Sequence, residues 1–187
     1  NGFINASGSV YLSTADSLNL GDGGVFHADP NKLSVLNTSN PVSFGFLSAS
    51  PAPITVNGAY LESPVPPGKT FALVGGDISL LAGDAPALII APGATVSLAS
   101  VASEGVAHLG DGAVDVSGFS MLGNILMSGA YIDVSGDPTG SIYIRGNHLD
   151  MLGAGLISIT VGDTDGGVID VAMRGDVSLL SSSPQDP

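Results

Sequence analysis

The chain contains no cysteine and no tryptophan, and only 4 of its 187 residues are lysine or arginine. Without cysteine there is neither a disulfide framework nor thiolate chemistry. The four basic residues, Lys32, Lys69, Arg145 and Arg174, are scattered without interleaved aromatics. Binding to a phosphate backbone draws on clustered cations, so no nucleic-acid partner is expected. With 17 acidic residues and a formal net charge of -13, an anionic membrane surface is repelled as well. No apolar run reaches the length needed to cross a bilayer as a helix, so no transmembrane helix is expected. The chain opens at Asn1-Gly2, without Met, a basic segment or an apolar segment that would mark a signal peptide. A processed product or a fragment is expected.

What the chain does contain is turn chemistry at short intervals. Twenty-seven glycines and twelve prolines punctuate runs of Val, Ile and Leu too short for helices, which predicts an all-β fold. Six triplets carry an apolar pair around one central residue: Ile78-Ser79-Leu80, Val96-Ser97-Leu98, Val114-Asp115-Val116, Ile132-Asp133-Val134, Leu149-Asp150-Met151 and Ile169-Asp170-Val171. Their centres, at positions 79, 97, 115, 133, 150 and 170, keep a nearly constant step. A second ladder, including Phe71-Ala72-Leu73, Leu88-Ile89-Ile90 and Ile142-Tyr143-Ile144, runs between them, so at least two strands per coil are expected. Self-similarity of this kind predicts a solenoid, a parallel β-helix of about 18 residues per coil, each turn burying its apolar face on the next. Side chains alternate across a strand, so the outer members of each triplet are assigned to the lumen and the central residue to the outside.

One domain is expected over residues 1 to 180, with regular coils over 71 to 180 and irregular first coils and an excursion over 1 to 70. Val10-Tyr11-Leu12, Leu18-Asn19-Leu20 and Val25-Phe26-His27 read as strands of the first coils. Residues 41 to 67, holding six of the prolines, read as an excursion with Ile54-Thr55-Val56 as its clearest strand, because proline cannot donate to a ladder. Residues 181 to 187 read as a tail or linker. A monomer is expected.

In this register Asp115, Asp133, Asp150 and Asp170 form one outward column. Carboxylates about 4.8 Å apart repel by roughly 0.9 kcal/mol in bulk water and about 3.5 kcal/mol at an effective dielectric of 20. A solvated column tolerates this, or a cation or cationic partner offsets it, which makes these four the candidate metal ligands. Arg174-Gly175-Asp176 spells an integrin-type tripeptide on an expected turn and is the candidate partner-binding motif, although three such letters arise easily in a chain rich in Gly and Asp. Gly21-Asp22-Gly23-Gly24 and Gly162-Asp163-Thr164-Asp165-Gly166-Gly167 read as ordinary turns, since no two copies of a calcium-binding nonapeptide follow one another. His27, His108 and His148 are too far apart to suggest a shared metal. No catalytic residue or cofactor is assigned, because no triad, phosphate loop or nucleotide fingerprint has the context it requires.

Several longer stretches carry a family signal. The run NGFINASGSVYLSTADSLNLGDGGVFHA at 1 to 28, FGFLSASPAPITVNG at 44 to 58, PGKTFALVGGDISLLAG at 67 to 83 and YIDVSGDPTGSIYIRGNHLDM at 131 to 151 resemble filamentous haemagglutinin-like proteins, above all their two-partner secretion, or haemagglutination-activity, domain in its cyanobacterial type. The resemblance implies a right-handed parallel β-helix in a secreted or surface-exposed adhesin or exoprotein that is not an enzyme. It implies an outer-membrane transporter as partner, an extracellular or outer-surface location, and host or neighbouring-cell glycans or proteins as further targets. The family's domain begins with an Asn-Pro-Asn segment and then an Asn-Pro-Asn-Gly-type motif, of which Asn1-Gly2 match only the last two residues. A carbohydrate-binding or carbohydrate-cleaving β-helix is the alternative, since paired carboxylates on such a face suit glycoside chemistry.

Overall fold

The computed structural model describes residues 4–110 and 112–181. The fold is all-β with almost no helix. Three parallel sheets carry most of the strands. Sheet I contains β5 (Ile54–Asn57), β8 (Ile78–Leu81), β12 (Ile125–Ser128), β15 (Leu149–Leu152) and β18 (Val177–Leu180). Sheet II contains β6 (Tyr60–Glu62), β9 (Ala87–Ile90), β13 (Ala130–Asp133) and β16 (Gly155–Ile157). Sheet III contains β1 (Val10–Ser13), β7 (Thr70–Gly75), β10 (Thr95–Ser100), β14 (Ser141–Gly146) and β17 (Ile169–Met173). From β5 onward the chain visits I, II and III in turn and then starts again.

Alternation explains why one core runs between the sheets. Ile78 and Leu80, Val96 and Leu98, Ile125 and Met127, and Ile142 and Ile144 are all buried, whereas the residues between them face outward. At about 1.5 to 3 kcal/mol for each fully buried aliphatic side chain, these stacked positions are the main favourable term. Three of the four corners from sheet I to sheet II open on a left-handed glycine: Gly58 (φ 56), Gly129 (φ 56) and Gly153 (φ 54) follow β5, β12 and β15. Of the corners leading into sheet III, those before β7 and β10 also pass through left-handed glycines, Gly68 (φ 72) and Gly93 (φ 66), whereas those before β14 and β17 are closed by contact. A Cβ at Gly140 would collide with the Ala94 carbonyl oxygen, and one at Gly167 with the Gly140 carbonyl oxygen.

The pairing register corrects the expected period. Ile54 pairs with Ile78 and Ile125 with Leu149. A hydrogen bond between circuits spans the same step, Ser100 Oγ donating to the Gly76 carbonyl 24 residues earlier in the chain. Later circuits are longer, Ile142 pairing with Ile169 and Leu149 with Val177. Bonds across them reach back 27 residues, from the Val168 N–H to Ser141 Oγ, and 28 residues, from the Asp176 N–H to His148 Nδ1. A circuit therefore carries three strands, and the shorter coil expected from the triplets is wrong. The reason is degeneracy, because every face asks for the same apolar-x-apolar triplet. Following the triplets in order moves from sheet I at Ser79 to sheet III at Ser97, then to an inserted segment at Asp115, sheet II at Asp133, sheet I at Asp150 and sheet III at Asp170. Two triplets also have their faces reversed: the central Ile89 of Leu88-Ile89-Ile90 and the central Ala107 of Val106-Ala107-His108 are buried.

Two insertions build a lobe outside the circuits. The first supplies β2 (Ser17–Leu20), β3 (Val25–His27) and β4 (Pro41–Phe46), and the second, between β10 and β12, supplies β11 (Gly105–His108). They form one antiparallel sheet in the order β11-β4-β2-β3. Leu18-Asn19-Leu20 and Val25-Phe26-His27 therefore belong to a hairpin and not to a first coil. Its turn passes through Asp22 (φ 55) and Gly23 (φ 76), a geometry that Asp and Gly tolerate best. Ile54-Thr55-Val56, expected in the excursion, is instead β5 of a regular circuit.

The lobe covers the outer face of β7 and β10 in sheet III. Phe44, Phe46, Val114, Val116, Phe119 and Leu122 form a second core against Ala72, Val74 and Ala99 of β7 and β10. Small outward residues on those strands make room for it. Tyr11 meets Phe44 edge-on at 6.4 Å and Phe46 meets Phe119 at 5.8 Å, geometries that satisfy the ring quadrupoles. Ser97 and Ser100 are consequently fully buried. The Val114 N–H donates to Ser97 Oγ at 3.3 Å, and Ser100 Oγ lies 2.9 Å from the Gly76 carbonyl oxygen that it bonds. The expected tail beyond Ser181 and the opening Asn1-Gly2 lie outside the described residues.

Candidate functional site

The four aspartates do not form a column. Asp133 is on sheet II, Asp150 on sheet I and Asp170 on sheet III, and Asp115 belongs to the inserted segment. Among the described residues no group of three or more His, Asp or Glu side chains is placed to hold a metal ion together. The like-charge repulsion worked out above therefore does not arise. What holds two of these carboxylates is local: Ser117 N–H donates to Asp115 Oδ1 at 2.8 Å and Ser135 N–H to Asp133 Oδ1 at 2.8 Å.

Two of the four aspartates nonetheless lie beside one cleft. It has a volume of about 460 Å³ and opens where the lobe meets the later strands of sheet III, between Val114, Asp115 and Val116 on one side and Arg145, Met173 and Arg174 on the other. Two of the chain's four basic residues thus converge here, and Arg145 brings Asp170 with it. Asp115 reaches the cleft from a short antiparallel bridge, in which its N–H and carbonyl are exchanged with those of His108 at 3.0 Å. The hydrogen bonds from Ser117 hold its carboxyl below the ordinary value, with a smaller contribution from His108.

Arg145 occupies an outward position on β14. Its Nη2 donates to Asp170 Oδ2 at 2.7 Å and its Nη1 lies 3.2 Å from Asp170 Oδ1, a bidentate pair. The guanidinium also sits 5.7 Å from the ring centre of Tyr143, two positions away on the same face and directly opposite Asp170. Sequence reasoning missed this arginine. The signal was there in Tyr143-Ile144-Arg145, whose two outward members flank a buried isoleucine.

Arg174 joins the two halves of the molecule. From the turn after β17 its Nη2 donates to the Phe119 carbonyl at 2.8 Å and its Nη1 to the Ser120 carbonyl at 3.0 Å. The rest of the tripeptide lies on the turn below it. Arg174 N–H donates to the Gly146 carbonyl, Gly175 N–H to the Asn147 carbonyl and Asp176 N–H to His148 Nδ1, all within 3.0 Å. Arg174-Gly175-Asp176 is thus on a turn as expected, but its guanidinium grips the lobe. The three histidines fall on β3, β11 and the corner before β15. In the Gly162 to Gly167 loop, Thr164 Oγ1 donates to Asp137 Oδ1 at 2.8 Å.

Chemically this arrangement is a clasp: two guanidiniums direct their donors to carbonyls and to a carboxylate that the fold already holds. No helix among the described residues is long and apolar enough to cross a membrane. Set against profiles of protein families, curated proteins and solved structures, the chain matches none of them.

Proposed function

We propose that the three sheets are the faces of a right-handed parallel β-helix, and that the chain is a non-catalytic domain of a secreted or surface-exposed exoprotein of the two-partner secretion kind. Right-handedness follows from the strong preference of parallel strands in one sheet for right-handed crossovers. The observation that carries the reading is the cyclic order of sheets I, II and III around one aliphatic core, with an antiparallel lobe fastened to a single face. The stretches that resemble the filamentous haemagglutinin-like family fall on both parts, the KTFALVGGDISL segment forming β7 and β8.

The role is structural. Each circuit offers the next a set of unpaired strand edges and a ring of aliphatic side chains. Folding by addition onto that edge would favour outward movement of a chain emerging from a transporter, without nucleotide hydrolysis. At the far end of the stack, Val171, Val177 and Leu179 border an apolar opening of about 750 Å³, a surface suited to receiving further coils. The test is binding of the folded domain, with the family's amino-terminal segment added, to the periplasmic part of its cognate outer-membrane transporter. Saturable binding supports the reading, and its absence with that segment in place overturns it.

A further inference from the structure

We infer that the outer face of sheet II is a binding platform for an extended, neutral, β-1,4-linked polysaccharide. The pairing register puts Tyr60, Leu88, Tyr131 and Gly155 in one outward column and Glu62, Ile90, Asp133 and Ile157 in the column beside it. The strand sequences Tyr60-Leu61-Glu62 and Tyr131-Ile132-Asp133 are therefore the same device built twice, an outward tyrosine and an outward carboxylate around a lumen aliphatic residue, with one strand between the two copies.

The chain has four tyrosines. Tyr11 packs on Phe44 and Tyr143 lies beside Arg145, whereas Tyr60 and Tyr131 are 53% and 37% exposed. A Cβ at Gly155 would lie 2.9 Å from Tyr131 Cδ1 and 3.2 Å from Cε1, so the missing side chain lets this ring lean over the neighbouring strand. An amphipathic ring of that kind offers an apolar surface with a polar tip, which matches the face of a pyranose. Asp133 Oδ1 is taken by Ser135, leaving Oδ2 for a hydroxyl, and Glu62 makes no side-chain hydrogen bond among the described residues. Neither column contains Lys or Arg, which argues for a sugar without carboxylate or sulfate.

Spacing selects the linkage. Two strand steps separate the tyrosine backbones, about 9.6 Å at roughly 4.8 Å per step, and the lean of Tyr131 over Gly155, on the side away from Tyr60, sets the rings somewhat further apart, a spacing on the order of the disaccharide repeat of an extended β-1,4-linked chain. Alternate sugars would thus present the same face to Tyr60 and Tyr131, with Leu88 beneath the sugar between them. Such a ligand deepens the surface-presentation reading by naming its target, and it rests on that reading only for where the sugar is met.

The test is calorimetric titration of the folded chain with cellohexaose, chitohexaose, the α-linked maltohexaose and the acidic polygalacturonate. Binding of a β-linked neutral oligomer, at least tenfold weaker in the Tyr60→Ala/Tyr131→Ala double variant and within about twofold of the parent in Tyr131→Phe, supports the platform. The substituted side chains are exposed, and unchanged melting shows that the variants fold. No binding of either β-linked oligomer, equal binding of maltohexaose or polygalacturonate, or an undiminished affinity in the double variant overturns it. Transporter binding measured on the same protein separates the two proposals. A parent chain that binds the transporter but no β-linked oligomer overturns only the platform, and one that binds the oligomer but not the transporter overturns only the secretion reading.

Discussion

The register of the circuits can be tested directly because the chain has no cysteine of its own. Thr55 and Ser79 are Cα partners on β5 and β8 and both lie at outward positions. Neighbouring strands are about 4.8 Å apart, inside the roughly 4.4 to 6.8 Å that a disulfide accepts between Cα atoms. Ser79 and Ser97 are one expected short coil apart in sequence, but they lie on sheets I and III, and Ser97 is sealed beneath the lobe. The double variant Thr55→Cys/Ser79→Cys should close its disulfide under mild oxidation, while Ser79→Cys/Ser97→Cys should stay reduced. For a loop of this length the chain-entropy relation gives about 3.5 kcal/mol. In-register Cβ atoms on parallel strands are somewhat wider apart than a relaxed disulfide prefers, and strain should trim the gain to about 2 kcal/mol. In a domain of this size that raises the melting temperature by about 4 to 8 °C, an increase that reductant abolishes. Non-reducing gels, peptide mass mapping and melts with and without reductant read the result. A disulfide in the second variant and none in the first would refute the register and restore the shorter coil.

Three further outcomes follow from burial and contact. Leu80→Ala, at a position only 1% exposed, should cost about 2 to 5 kcal/mol in a denaturant titration, whereas Leu126→Ala, 38% exposed on the paired strand, should cost under about 1 kcal/mol. Arg174→Ala removes both hydrogen bonds to the lobe. It should cost about 1 kcal/mol and raise amide exchange selectively in the inserted segment around Phe119, with Arg174→Lys recovering little because an ammonium cannot span two carbonyls as a planar fork does. Asp115, whose carboxyl is held below its ordinary value by Ser117, contributes stability that is present above its unfolded-state value and lost as pH falls through the lower folded-state value. The carboxylate is exposed, so screening keeps this below about 1 kcal/mol. Stability curves of the parent and Asp115→Asn should therefore differ slightly at pH 6 and converge towards pH 3.

The all-β class and many of the inward positions were legible because alternation is a local property. Ile78, Leu80, Ile125, Met127, Ile142 and Ile144 could be assigned inward from their own triplets, and all six are buried. The period was not legible, because triplets on three faces look alike and loops of unequal length let unrelated faces fall into step. The four-aspartate column failed with the period. The lobe was hidden for a different reason. β4 and β11 pair although β5 to β10 intervene in the chain, and antiparallel pairing at that range leaves no periodic trace. Its one local mark is the small outward side chain at Ala72 and Ala99, where a solvent-facing strand would more often carry a polar residue. Arg145 and Arg174 were placed in sequence but not in space, since their partners Asp170 and Phe119 come from other elements.

The lobe also determines which faces can meet a ligand. It covers the outer side of β7 and β10, so those two strands have no face left for a partner. By drawing its strands from before the first full circuit and from between the second and the third, it fastens the early circuits together and gives the later ones a preformed edge to build on. Sheet III is thereby committed to structure, apart from the margin where Arg145 and Arg174 close the clasp. Sheets I and II remain. The outward column of sheet I runs Thr55, Ser79, Leu126, Asp150 and Ser178, a set with no ring among its side chains. Among the described residues only sheet II combines exposed rings with carboxylates at a fixed interval, and it does so on a face that neither the core nor the lobe uses. A recognition surface placed there can be changed residue by residue without disturbing the packing that holds the circuits together.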